Sequence, residues 1–178
     1  MDALTHLFLP ATVAYAVLHE RFDSPRWLAL AALGLLPDFD KYLGAPGLLH
    51  SLVPVVPLSV GLLAVARYRE ADATPALLAV GFLWSHLFLD VLDGGPVPLL
   101  FPLVESGIGL RYPARVAFGE GLLGVAVRGP VVALRTTAPR GGFNAFGFLN
   151  GFGVASLLAF AAVFVGVRYA GTSAGGDR

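Results

Sequence analysis

Residues 82–93 read Phe82-Leu83-Trp84-Ser85-His86-Leu87-Phe88-Leu89-Asp90-Val91-Leu92-Asp93. The stretch is apolar, with three ionisable residues set into it. His86 and Asp90 are four apart and Asp93 is three further on, so on a helix of 3.6 residues per turn all three share one face. An imidazole and two carboxylates on one stripe of an apolar helix are costly unless they are paired or hold a cation. Their partners must come from other segments, and finding those partners decides how the chain folds around this one.

The composition sets the medium. The 178 residues are 56% hydrophobic and only 13% charged, with mean hydropathy +0.74. A soluble domain is about 25% charged, so the expectation is an integral membrane protein whose first partner is the lipid bilayer. Length fits one domain. The formal net charge is zero, which gives no basic field for nucleic acid. With no cysteine there are no disulfides, thiolate metal sites or cysteine nucleophiles. Lys41 is the only lysine among many arginines, the mark of a GC-rich prokaryotic coding bias. The start, Met1-Asp2-Ala3-Leu4-Thr5-His6, has no basic n-region and reads as the opening of a membrane helix rather than a cleaved signal.

Outward from residues 82–93, the hydropathy pattern predicts an all-α membrane bundle of four to five spans. The first apolar run, 3–18, is short and contains Pro10. The second, 27–37, is shorter still and reads as partial or re-entrant unless it continues through Asp38-Phe39-Asp40-Lys41. Gly44-Ala45-Pro46-Gly47 is a turn. The third run is 48–66, with Pro54 and Pro57 near its start, and the fourth is 76–92. Residues 104–147 carry five arginines and many glycines. They are expected to form an irregular surface segment between the last two spans, with a short helix over 116–127. Residues 148–169 are a final span. The domain is taken as 1–170, with a disordered tail at 171–178. Gly61 and Gly81 are expected to let helices approach closely.

Counting spans brings the polar residues together. If helix 1 starts on side A, helix 2 ends there, helix 3 starts there and helix 4 ends there. His6, Asp38, Asp40, His50, His86, Asp90 and Asp93 then all fall on side A. Independent surface charges would scatter over both ends. Three imidazoles and four carboxylates suit Zn²⁺, Mn²⁺, Fe²⁺ or a two-metal site, and a dication offsets the repulsion among clustered carboxylates. Zinc is the first choice, with His6, Asp38, Asp40, His50, His86 and Asp90 as candidate ligands. Asp93 or Asp40 is the candidate general base. Arg111 or Arg115 is placed to hold an anionic substrate group. His19, with Glu20 and Arg21 on side B, reads as solvated loop. Phosphate loops, dinucleotide glycine motifs and Gly-x-Ser-x-Gly elbows are absent from the sequence.

These residues resemble the YdjM-like family of membrane-bound metal-dependent hydrolases. Thr5-His6, Leu36-Pro37-Asp38-Phe39-Asp40, His50-Ser51, Ser85-His86 with Asp90, and Gly95 through Leu99-Leu100-Phe101-Pro102 match its five short motifs in order, over residues 5–102. Two elements depart: Ala45-Pro46 and Leu49 stand where the family has His-Arg and Thr, and Lys41 where it often has His. The resemblance implies a hydrolase working through metal-activated water. A distant similarity to zinc-dependent phospholipase C extends that to a phosphoester or lipid-like substrate. The contrasting class is a non-catalytic membrane protein that binds or transports a divalent cation. A conduction path calls for polar residues through the membrane depth, whereas here they cluster at one end.

Orientation follows the basic residues. Short side-B loops carry Arg21, Arg26, Arg67 and Arg69, with Arg168 beyond the last span, against Lys41 alone in short side-A loops. That pattern places side B in the cytoplasm and the site outward.

Overall fold

The computed structural model describes residues 1–21, 25–69, 72–119, 121–127, 129–136 and 148–174. Its main elements are α1 (Ala3–Leu18), α2 (Pro25–Ala29) running into a 3₁₀ helix (Leu30–Lys41), α3 (Leu52–Tyr68), α4 (Thr74–Leu92) and α5 (Gly151–Ala174). Between α4 and α5 lie β1 (Ser106–Leu110), β2 (Ala114–Gly119), β3 (Gly121–Val127) and β4 (Val132–Thr136). Among the described residues, α4 and α5 are long and apolar enough to cross a membrane, and α3 is a shorter apolar helix. Only 11% of the apolar window of α5 is buried, and its outward face shows Phe152, Leu158 and Val165. Water disfavours a continuous apolar face of that kind.

Asp2 joins the two ends of the chain. Its Oδ1 accepts from the Thr5 N–H at 2.7 Å and the Thr5 hydroxyl at 2.8 Å, and its Oδ2 accepts from Asn150 N–H at 2.6 Å and Gly153 N–H at 3.2 Å. One carboxylate thus caps the positive ends of both α1 and α5. A Cβ at residue 153 would lie 2.5 Å from Asp2 Oδ1, so glycine is needed there. Burial works against the charge, but these hydrogen bonds hold the Asp2 carboxyl below the ordinary carboxylate value. Asp2→Ala strands several buried N–H groups at about 1–3 kcal/mol each. We expect a loss of about 3 kcal/mol, read as a lower thermal midpoint in detergent. Because the folded pKa is depressed, this contribution is present above pH ~4 and is lost as pH falls through the folded value.

Two small cores hold the helices. Ala11, Tyr15, Ala31, Leu78 and Phe82 pack together, with Phe160 and Phe164 of α5 against them. Val55, Leu83 and Leu87 form the second, between α3 and α4. The 3₁₀ helix lies against both α1 and α4. Side chains three apart eclipse in such a helix, and Ala31, Gly34, Pro37 and Asp40 form that buried edge. The glycine contacts correct the sequence reading. A Cβ on Gly61 or Gly81 would meet nothing within 4 Å, whereas one on Gly34 would sit 3.0 Å from the His6 carbonyl oxygen and 3.4 Å from that of Phe82. The close approach belongs to Gly34.

The described part of the segment after α4 carries two antiparallel strand pairs, so the fold is mostly helical rather than all-α. The expected helix over 116–127 is instead strands β2 and β3, paired antiparallel. That helix would have contained Gly119, Gly121 and Gly124, each costing about 1 kcal/mol relative to alanine. Val116, Val125 and Val127 favour extended backbone. β1 pairs antiparallel with β4. Through paired Val97–Ile108 backbone bonds of 2.9 Å, β1 also braces the loop after α4. At the other end, α5 continues through 171–174, and 175–178 lie outside the described residues.

Candidate metal centre

Four segments bring their polar residues to one place. His6 comes from the first turns of α1, Asp38 and Asp40 from the end of the 3₁₀ helix, and His50 from the turn before α3. His86 and Asp90 come from the last turns of α4. His6, Asp38, Asp40, His50 and His86 are buried. His86 Nε2 lies 3.2 Å from Asp90 Oδ2 and 4.0 Å from Asp38 Oδ1. His50 Nε2 lies 3.4 Å and 3.7 Å from the same two oxygens. The two Nε2 atoms are 3.2 Å apart. Bonds of 2.0–2.1 Å to a tetrahedral zinc place its donors about 3.3 Å from each other. The separations measured from the two imidazoles, 3.2–4.0 Å, approach that spacing, and Asp38, His50 and His86 form one group of metal-holding geometry.

The tautomers strengthen that reading. Asp40 Oδ2 is 2.9 Å from His50 Nδ1, and the Gly34 carbonyl oxygen is 2.6 Å from His86 Nδ1. Both are acceptors, so both Nδ1 atoms carry the hydrogen and both Nε2 lone pairs point inward. Two lone pairs and two carboxylates facing one another repel unless a cation lies among them. A dication engages all four donors.

Local sequence explains why these partners are free. In a 3₁₀ helix the carbonyl of residue 34 would bond the N–H of residue 37. That residue is Pro37, which has no N–H, so the Gly34 carbonyl is left for His86. Gly47, at φ +93, turns its N–H onto Asp40 Oδ2 at 2.8 Å, and Leu49 N–H adds a bond of 3.2 Å. Three donors on Oδ2 fix Asp40, which in turn fixes His50. Asp40 Oδ1 is buried without a hydrogen-bond partner among the described residues. Ser51 caps α3 by accepting from Val53 N–H and donates to the Leu99 carbonyl. That ties the Leu99-Leu100-Phe101-Pro102 motif to the start of α3.

His6 stands beside this set. Its ring stacks on His86 at 3.9 Å, its Nε2 is 3.1 Å from Asp90 Oδ1, and its buried Nδ1 has no hydrogen-bond partner among the described residues. Asp90 thus faces His6 with one oxygen and His50 and His86 with the other. Two overlapping groups have metal-holding geometry: His6, His86 and Asp90, and Asp38, His50 and His86. Lys41 pairs with Asp38 at 2.7 Å.

The remaining candidates lie elsewhere. Asp93 caps the end of α4, half-exposed, and pairs with the Met1 amino group. It lines a cavity of about 180 Å³ with Asp90, His50 and the loop 95–98. Arg111 is exposed on the link between β1 and β2. The side chain of Arg115 lies outside the described residues. The 3₁₀ backbone was missed from sequence, and with it Gly34 and Pro37. The Gly34-x-x-Pro37 spacing was the available signal. Asp2 three residues before Thr5 was a capping signature left unused.

The molecule is thus a largely helical, membrane-type protein with a buried His/Asp cluster at one end of its helices. The chain belongs to the YdjM inner membrane protein family, whose model matches residues 1–173. No curated protein and no solved structure matches it.

Proposed function

We propose that the protein is a multi-pass, membrane-bound metal-dependent hydrolase acting on a phosphoester or lipid-like substrate. The observation that carries this is the convergence of His50 Nε2, His86 Nε2, Asp38 Oδ1 and Asp90 Oδ2. These four would hold the ion, zinc first, with His6 extending the set through Asp90. A dication in such a site supplies Lewis acidity towards a phosphoryl or carbonyl oxygen and lowers the pKa of water. Asp40 and the Gly34 carbonyl orient the imidazoles. Asp93, in the polar cavity and open to solvent, is the group to take up a proton from an attacking water. Asp40 is withdrawn from that role, because it is buried and its Oδ2 already accepts three hydrogen bonds.

The test is metal analysis of detergent-purified protein after mild preparation, with hydrolysis of phosphoester substrates assayed on the loaded sample. About one or two ions per chain are expected. Less than a tenth of an ion per chain, with failed reloading, refutes the centre. An ion without turnover leaves a cation-binding protein.

The same reading has four to five spans with the centre facing outward, because Arg21, Arg67 and Arg69 lie at the opposite ends of the helices. A fluorescent reporter fused after Arg178 is expected in the cytoplasm. Phosphatase activity there instead, without fluorescence, reverses the orientation.

A further inference from the structure

Two cavities of opposite character are lined by neighbouring residues of the last turns of α4. One is the small polar cavity lined by His50, Asp90 and Asp93. The other, about 520 Å³, is an almost wholly apolar groove between α1 and α4, lined by Pro10, Val13, Leu77, Gly81, Phe88 and Leu92 among others. From Leu77 to Leu92 it follows α4 for about 22 Å at 1.5 Å per residue. That is most of the thickness of one hydrocarbon core. Leu89 and Leu92 line the groove and flank Asp90, which lines the polar cavity. The helices that form the groove are also those that carry His6, His86 and Asp90.

The groove is built by missing side chains. Gly81 leaves open space where a Cβ would stand, with nothing within 4 Å. Val13, Leu77 and Phe88 are each more than half exposed on its walls. An open apolar groove running along α4, with Leu89 and Leu92 on its wall next in sequence to Asp90 and Asp93 of a polar, carboxylate-lined cavity, has the polarity profile of one molecule, an acyl chain with a polar head.

We infer that the site takes a membrane phospholipid, with one acyl chain in the α1–α4 groove and the phosphoester head in the polar cavity at Asp90. The head rests on the hydrolase reading above, while the tail rests on the groove alone. A phospholipid reaches the centre laterally, from the bilayer, without leaving it.

The experiment uses the full chain in phosphatidylcholine–phosphatidylglycerol vesicles containing a trace phospholipid with a photoreactive diazirine in its acyl chain. Labelled residues are mapped by mass spectrometry, and metal content is measured on the same samples. Labelling is expected to be saturable and concentrated on Val13, Leu77 and Phe88, relative to the outward face of α5. Gly81→Leu fills the groove at a position with room for it and improves helix propensity. It is expected to lower groove labelling at least five-fold with metal content unchanged. Gly61→Leu, equally open but on α3, leaves labelling as in wild type. Uniform labelling of all lipid-facing helices, insensitive to Gly81→Leu, overturns the inference. Groove labelling in protein that binds no metal refutes the hydrolase reading and leaves the acyl groove standing.

Discussion

His86→Ala is expected to empty the centre, from about one ion per chain to less than roughly a tenth. His86 faces both Asp38 and Asp90 with Nε2, and it belongs to both groups of metal-holding geometry. Among the described residues, His86 alone belongs to both groups. Losing a donor shared by both groups exceeds the 10–100-fold cost of losing an orienting partner. The variant also removes the ring that stacks on His6, so circular dichroism and gel filtration must first show a folded chain. Asp38→Ala gives a second route to the same result, since Asp38 Oδ1 faces both His50 and His86. His19→Ala, in an exposed turn at the far end of α1, should retain the ion. Full metal content in both His86→Ala and Asp38→Ala would exclude this centre.

The sequence made the cluster legible because α-helical spacing is rigid. His86 and Asp90 four apart share a face whatever surrounds them, and the structure puts their facing atoms 3.2 Å from each other. Counting helix ends rests on similarly firm ground. A helix has two ends, so alternation fixes which polar residues can meet. What stayed hidden depended on backbone that hydropathy does not report. Residues 27–37 looked too short because an α-helical rise was assumed. The 3₁₀ rise of about 2.0 Å per residue over Leu30–Lys41 stretches the segment. It also brings Gly34, Pro37 and Asp40 onto one edge, which the α-helical period separates. The strands of 106–136 escaped for another reason. Their glycines and arginines suppress hydrophobic alternation, the signal by which half-buried strands are read. Gly61 and Gly81 show the opposite error, small residues taken as packing surfaces when their neighbours are open space.

Asp40→Asn is expected to weaken metal affinity 10–100-fold while leaving the fold intact, the usual effect of disturbing a carboxylate that orients a histidine ligand. The argument is about one oxygen. Asp40 Oδ2 accepts from Gly47 N–H, Leu49 N–H and His50 Nδ1. Asparagine keeps one carbonyl oxygen of similar shape, so part of the turn survives. Its amide group is a donor, its negative charge is gone, and His50 Nδ1–H is no longer held by an anion. His50 then loses both the fixed tautomer and the added basicity that a carboxylate gives it. A competitive chelator titration of wild type against Asp40→Asn reads the change directly. Two other roles for Asp40 predict other outcomes. As a general base, its loss would lower hydrolysis at saturating metal without changing affinity. As a purely structural support for the 43–49 turn, its loss would lower the thermal midpoint and leave affinity alone. Unchanged affinity in a folded Asp40→Asn protein therefore removes the positioning role. Weakened affinity that excess metal overcomes supports it, because a misaligned ligand still binds when the ion is abundant.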